Sequence, residues 1–234
     1  MPRIVKHPEI RRAEILQQAL GIFLKRGYEN TSLNDLISEA GLSKGMFYHY
    51  FSSKEELLRA LFDLVADQTF EALEPALLQR DIPPLKRLQN VLDRSAEIRL
   101  TQVELIRSIL GTTFKPENDI LFQGIARAWV KRFAPALAEL IRDGIAAGEF
   151  ETFDPEGVAE MHLQNEMSTK DLVHQAMVAG SAAERDQVAA ILAERLRLYS
   201  LMLCRMLGLR DGSISIATPE FIHRLTALLN PLEA

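Results

Sequence analysis

Apolar residues in this chain recur three and four positions apart almost from end to end, and glycines and prolines cut the pattern into pieces of helical length. That periodicity confines the fold to packed helices. Strand-like alternation is limited to Ser-Ile-Ser-Ile-Ala at 213–217, too short to found a sheet. Between Pro8 and Gly27, residues Ile15, Ala19, Ile22 and Phe23 share one helix face. Lys25 and Arg26 fall in the last turn, where the helix dipole favours cations, and Gly27 reads as the stop. Ser32 followed by Asp35 is a capping-box-like start for a short helix with the face Leu33, Leu36, Ile37 and Ala40, ending at Gly41. Ser43 can cap a third helix beginning at Lys44, with Phe47 and Phe51 turned inward, and Ser52 or Ser53 can cap a fourth starting near Lys54.

Beyond that point, breaks at Pro75, Pro83-Pro84, Lys115-Pro116, Gly148, Asp154-Pro155, Gly180-Ser181 and 208–212 divide the rest into long helices. The helix opening near Lys54 is expected to run past Phe70, joining the N-terminal unit to the body without a flexible joint. With 47% apolar and 25% charged residues in 234, the chain has enough apolar side chain for a sizeable core. Arg197 and Arg205 interrupt its least charged stretch, which falls short of the roughly 18 apolar residues of a membrane span. Residues 1–12 hold no apolar signal core, so a soluble, cytoplasmic protein is expected. The single cysteine, Cys204, lies in an apolar run and reads as a buried, inert thiol.

The net charge of −5 is unevenly distributed. Through Lys54 there are eight basic residues against five acidic ones. Of the totals of 27 and 32, the remainder therefore holds 19 and 27, a net −8. A basic end on an acidic body hints at a nucleic-acid-facing segment. The sharper signal is two short helices separated by Gly41-Leu42-Ser43, the requirement of a helix-turn-helix: a residue for a tight turn, an apolar plug and a cap. On the second of these helices, Phe47 and Phe51 point inward. That leaves Lys44, Gly45, Met46, Tyr48 and His49 outside, a face suited to base edges and phosphates.

Three stretches carry a resemblance to a known family: Gly27-Tyr28-Glu29-Asn30-Thr31-Ser32-Leu33, then the run from Gly41 through Phe51, then Lys54-Glu55-Glu56-Leu57-Leu58. Together they resemble the N-terminal signature of the TetR family of bacterial transcriptional regulators over about the first quarter of the chain. The resemblance implies an all-α protein. Residues 1–53 would form a three-helix helix-turn-helix DNA-binding domain, and 54–234 a helical bundle for ligand binding and dimerisation. It also implies roles for individual residues. Ser32 would cap helix two against a phosphate, and Asn34 would reach a base or the backbone. Ser43 would cap the recognition helix, and Lys44, Gly45 and Met46 would enter the major groove. Met46 stands where a hydroxyl residue is commoner and offers an apolar contact to a thymine methyl. Tyr48, His49 and Tyr50 would contact phosphate, base edge and rim, Lys54 would clamp a phosphate, and Arg3, Lys6, Arg11 and Arg12 could track the backbone or minor groove.

In the body, the helix expected over 184–208 is apolar around more of its circumference than one contact face explains. It needs either its own core plus a second copy, giving a two-fold dimer with the helix expected over 155–179, or a central place in a monomeric bundle. That neighbouring helix crowds His162, Gln164, Asn165, Ser168 and Thr169 among Met161, Leu163 and Met167. Buried polar groups need partners, so Met161, His162 and Asn165 are candidate pocket residues, with Phe62, Val65, Phe70, Phe114, Phe122, Trp129 and Phe133 as apolar lining. Plain core packing is the alternative for each. No metal site is expected at His162, since Glu166 is the only ligand-type residue at helical spacing from it, and no cofactor motif is present. Nucleophile elbow, phosphate-cradling glycine loop and zinc spacing are all missing, which argues against an enzyme. The expectation is a homodimeric, effector-released repressor of a pseudo-palindromic DNA site. The competing class is a helical ligand-binding or protein-interaction module that keeps the scaffold without reading DNA.

Overall fold

The computed structural model describes residues 7–110 and 119–229, which hold ten α-helices and, among the described residues, no strand. They are α1 (Pro8–Arg26), α2 (Leu33–Glu39), α3 (Lys44–Tyr50), α4 (Lys54–Leu77), α5 (Pro84–Leu110), α6 (Asp119–Ala146), α7 (Pro155–Met167), α8 (Lys170–Val178), α9 (Ala182–Met206) and α10 (Pro219–Leu229). Two compact units are present: the described residues within 1–68 and 108–129, and those within 69–107 and 130–234.

The first unit closes on Phe23, Phe47, Phe51, Leu57 and Leu61, with Ile15, Leu16, Leu36, Ile37 and Leu121 around them. Each is the inward position of its helix, so the short helices α2 and α3 persist through shared burial rather than intrinsic propensity. Their ends are fixed locally. Ser32 accepts from the Asp35 N–H at 3.1 Å while the Asp35 carboxylate accepts from the Ser32 hydroxyl at 2.5 Å and from the Ser32 N–H at 2.9 Å, a closed capping box whose hydroxyl and N–H donors hold the Asp35 carboxyl below its ordinary range. After α2 the chain makes a Schellman turn: Leu42 N–H donates to Ile37 O at 2.9 Å and Gly41 N–H to Ser38 O at 3.1 Å. Gly41 sits at φ +61°, which a side chain would resist, and Leu42 buries itself at the corner. Ser53 caps α4 by accepting from the Glu56 N–H at 3.1 Å, and Glu56 returns the favour to Ser52 N–H at 2.7 Å.

In the second unit three expectations change. Pro75 does not end a helix, because it falls in the last turn of α4, where Leu78 N–H still reaches Glu74 O at 2.9 Å. The helix expected over 155–179 is two, α7 and α8. The hydroxyls of Ser168 and Thr169 donate to the carbonyls of Asn165 and Glu166, both at 2.8 Å, and so compete with the helical ladder. The alternation at 213–217 is real but pairs with side chains, not with a strand. Ile214 and Ile216 are buried, Ile216 N–H donates to Ser200 Oγ at 2.9 Å, and Ser215 exchanges two hydrogen bonds with the Gln89 amide. Cys204 is buried as expected, 3.9 Å from the Ile214 carbonyl.

Candidate nucleic-acid interface

The helix α3 has two unlike sides. Phe47 and Phe51 are buried completely, their rings 5.9 Å apart, and they anchor the helix on α1 and α4. Ser43, Lys44, Gly45, Tyr48 and His49 are exposed, and Met46 and Tyr50 are half-buried. Ser43 Oγ accepts from the Met46 N–H at 3.1 Å, so the cap fixes the first turn that carries Lys44, Gly45 and Met46. Tyr48 keeps 56% of its surface open, its ring edge-on to Phe47 at 5.6 Å, while His49 stands edge-on to Tyr50 at 4.9 Å. Rings braced in this way lose little freedom on meeting a ligand. Lys44 has no ion-pair or hydrogen-bond partner among the described residues.

Gly45 is the least expected residue by folding logic. Glycine costs up to about 1 kcal/mol relative to alanine inside a helix and still offers no gain in the first turn, where Gly45 stands, and a side chain here would meet no other atom within 4 Å. Its φ is not positive, so the backbone does not require it. What its absent side chain leaves is room for an outside molecule to approach the backbone.

Residues around α3 divide by task. Ser32 and Asn34, at the start of α2, are exposed with Lys44. Lys54 turns inward: its ammonium donates to the Tyr28 carbonyl at 2.6 Å and lies 3.8 Å over the Tyr28 ring, with burial lowering its pKa against the pull of Glu29 and Glu55. Thr31, completely buried and donating to Gly27 O at 2.7 Å, completes this turn. Sequence reasoning gave Thr31 no role. Its place between a helix stop and a capping box was the available signal. Arg11 and Arg12 flank α3. Arg11 Nη2 lies 3.7 Å from Met46 sulfur while Nη1 pairs with Glu14 at 2.9 Å, and the Arg12 guanidinium lies 5.2 Å from the Phe51 ring centre. Arg3 and Lys6 lie outside the described residues.

The candidate pocket residues do not form one group. Phe62 and Val65 pack against the first unit's core, and the Phe62 ring fills the space a side chain on Gly124 would need. Trp129 is buried in the same unit. In the second unit Phe70 and Phe133 stack edge-on at 5.0 Å, with Arg132 over the Phe70 ring at 3.4 Å. Met161 is exposed and Asn165 half-buried. His162 is buried on Glu166, its Nε2 3.6 Å from Oε1, and Arg99 donates to that same oxygen at 2.6 Å. Burial drives the His162 pKa down against the attraction of Glu166. Burial would push Glu166 up, but Arg99 and His162 hold it low. His162 and Glu166 of α7 thus find partners within the chain, as does Ser168 just past its end, which meets the Tyr199 hydroxyl at 2.7 Å. Phe114 and the Phe122 side chain lie outside the described residues. Among the described residues no group of three or more metal-ligating side chains occurs.

A helix-turn-helix closed on its own core, followed by further helices, is the arrangement by which DNA-binding regulators present a recognition helix. Residues 15–61 match the family model described as bacterial regulatory proteins, tetR family. The chain is 28% identical over 167 residues to the HTH-type transcriptional regulator YfiR of Bacillus subtilis, covering 66% of this chain and 75% of that one. It is 33% identical over 97 residues to the repressor KstR2 of Mycobacterium tuberculosis, 42% of this chain and 48% of that one. The crystal structure of FadR from Bacillus subtilis, in complex with stearoyl-CoA, superposes with a TM-score of 0.52 at 19% identity, over 78% of this chain and 96% of that one. Over residues 15–61 the chain is therefore similar to the TetR family of regulators, and its fold is like that of the solved regulator structure.

Proposed function

We propose that the protein represses transcription by binding a pseudo-palindromic DNA site as a homodimer, and that a small-molecule effector bound in the body releases it. In this reading residues 1–53 hold DNA and 54–234 form the effector and dimer body, and the protein works in the cytoplasm. No helix among the described residues is long and apolar enough to cross a membrane. The observation that carries the reading is the outer face of α3, where an unpaired Lys44, an open Gly45 and a braced Tyr48 stand side by side. Such a face has no folding purpose, and it suits a major groove. KstR2 is named a repressor and FadR was captured with an acyl-CoA, which supports both halves of the cycle. Two copies would set their recognition helices about 34 to 36 Å apart, or one turn of DNA. Release then requires an effector that binds the non-operator arrangement more tightly.

The test begins with selection of bound sequences from a random DNA pool. Lys44→Ala and Tyr48→Ala should each weaken binding to the selected site at least tenfold in a gel shift, with helicity and dimer unchanged. Affinity should fall steeply with salt, as phosphate neutralisation demands. Undiminished binding by both variants, or no salt dependence, would count against DNA reading and favour an interaction module.

A further inference from the structure

Methionine makes a poor reader of DNA unless something holds it, because its rotatable bonds give an exposed side chain a freedom that is lost on contact. Met46 is held from two sides. It is the third residue of α3, in the turn fixed by the Ser43 cap, and it packs against the first unit's core while staying half-buried. From α1, Arg11 donates through Nη2 to the Met46 sulfur at 3.7 Å. Arg11 is fixed in turn through Nη1 to the Glu14 carboxylate at 2.9 Å, one turn along the same helix, with the two side chains 28% and 32% exposed. Ile15, Leu16 and Ala19 bury α1 in the core, so the line of contacts from Glu14 through Arg11 to Met46 starts from a fixed support.

Charge and valence divide the work at this corner. Lys44 has no partner among the described residues, whereas Arg11 already faces a carboxylate. A phosphate finds Lys44 free and would have to compete with Glu14 for Arg11. The Met46 sulfur, a weak acceptor, is taken by the guanidinium. What this side chain still offers an outside molecule is its terminal methyl, which neither donates nor accepts a hydrogen bond. Among the base edges of the major groove the matching apolar mark is the C5 methyl of thymine.

We propose that Arg11 is a positioning residue for operator choice: it holds Met46 so that the methionine reads a thymine methyl, and it does not itself hold a phosphate. This rests on the reading of α3 as the helix that faces DNA. The test uses the full-length protein, as wild type, Met46→Ala, Arg11→Gln, Arg11→Lys and Lys44→Ala, on the duplex selected from a random pool. Each thymine of that duplex is replaced in turn by deoxyuridine, which lacks only the C5 methyl. In wild type the replacement should weaken binding about fourfold, the contribution of one buried methyl, at one thymine of a half-site. The same replacement should cost Met46→Ala nothing. Arg11→Gln should lose at least half of the discrimination and Arg11→Lys should keep part of it. Each ratio is taken within one protein, so a general loss of affinity or stability cancels. Lys44→Ala should lower the slope of log affinity against log salt by about one, while Arg11→Gln leaves it unchanged. A wild type indifferent to every deoxyuridine, or a sensitivity that survives Met46→Ala, would overturn the methyl reading and leave DNA binding by α3 standing. Arg11→Gln with the wild-type ratio would reduce Arg11 to a structural role, and a lowered salt slope would place it on a phosphate; either overturns its positioning of Met46. Failure to select any site would remove the DNA reading, and this proposal with it.

Discussion

Gly45 stands in the first turn of a seven-residue helix, one residue in from Lys44, where glycine gives the fold nothing, with open space where its side chain would be. Folding and DNA reading therefore make opposite demands on this one residue. Gly45→Ala should stabilise the protein by about 0.5–1 kcal/mol in urea melts, because it removes backbone freedom from the unfolded chain. The same methyl would stand between α3 and the DNA, so binding to the selected site should weaken tenfold or more. A variant that gains stability and keeps full affinity would show that nothing approaches the helix there. Glycine was legible in the sequence as an exposed residue, but not as a costly one. Only the open space around it, set by how α1 and α4 turn α3, separates a functional glycine from one that the packing requires, such as Gly124 beneath the Phe62 ring.

The same contrast holds between helices. Caps and stops at Ser32, Gly41, Ser43 and Ser53 were readable because they depend on residues within four positions of one another. The pairing of α5 with α7 was not, because Arg99 and Glu166 are 67 residues apart and each alone looks like a solvated charge. Beside that pair His162, read as a candidate for ligand contact, is held neutral chiefly by its burial, with the Arg99 charge adding to it against the attraction of Glu166. Its folded pKa lies below the ordinary 6.5, so below that pH the unfolded chain takes up a proton that the folded chain resists. The stability contributed by neutral His162 is therefore complete above the ordinary histidine value and is lost as pH falls below it. Glu166, also held low, adds a second loss further down, near and below the ordinary carboxylate range. Melting temperature should fall between pH 7 and 5, and His162→Gln should flatten that decline while leaving the lower, carboxylate-driven loss. A profile unchanged by His162→Gln would place the titration elsewhere.

At the scale of the molecule, the surplus of apolar residues on α9 was visible in the sequence, but the direction it faces was not. Periodicity reports that two faces are apolar and cannot say which one the chain covers itself. The structure covers the stripe through Ala189, Leu192, Leu196 and Leu203 and leaves Ile191, Leu198 and Met202 open, with Met161 of α7 also exposed. Residues seven and four apart on one helix form a continuous ridge, the pattern by which a helix packs on its own copy around a two-fold axis. A carboxylate placed on that ridge would be desolvated twice in a symmetric interface, once from each subunit, at a cost of several kcal/mol. Leu198→Glu should therefore shift the protein from dimer to monomer in sedimentation at micromolar concentration. The core stripe is untouched, so helicity and the monomer's melting should change little. Operator affinity should fall far more than the loss of one contact predicts, because the second half-site is then bound from solution rather than from an already tethered neighbour. Weak, salt-sensitive binding to random duplex should survive through Lys44 and its neighbours. A Leu198→Glu protein that remains dimeric would move the two-fold axis off α9.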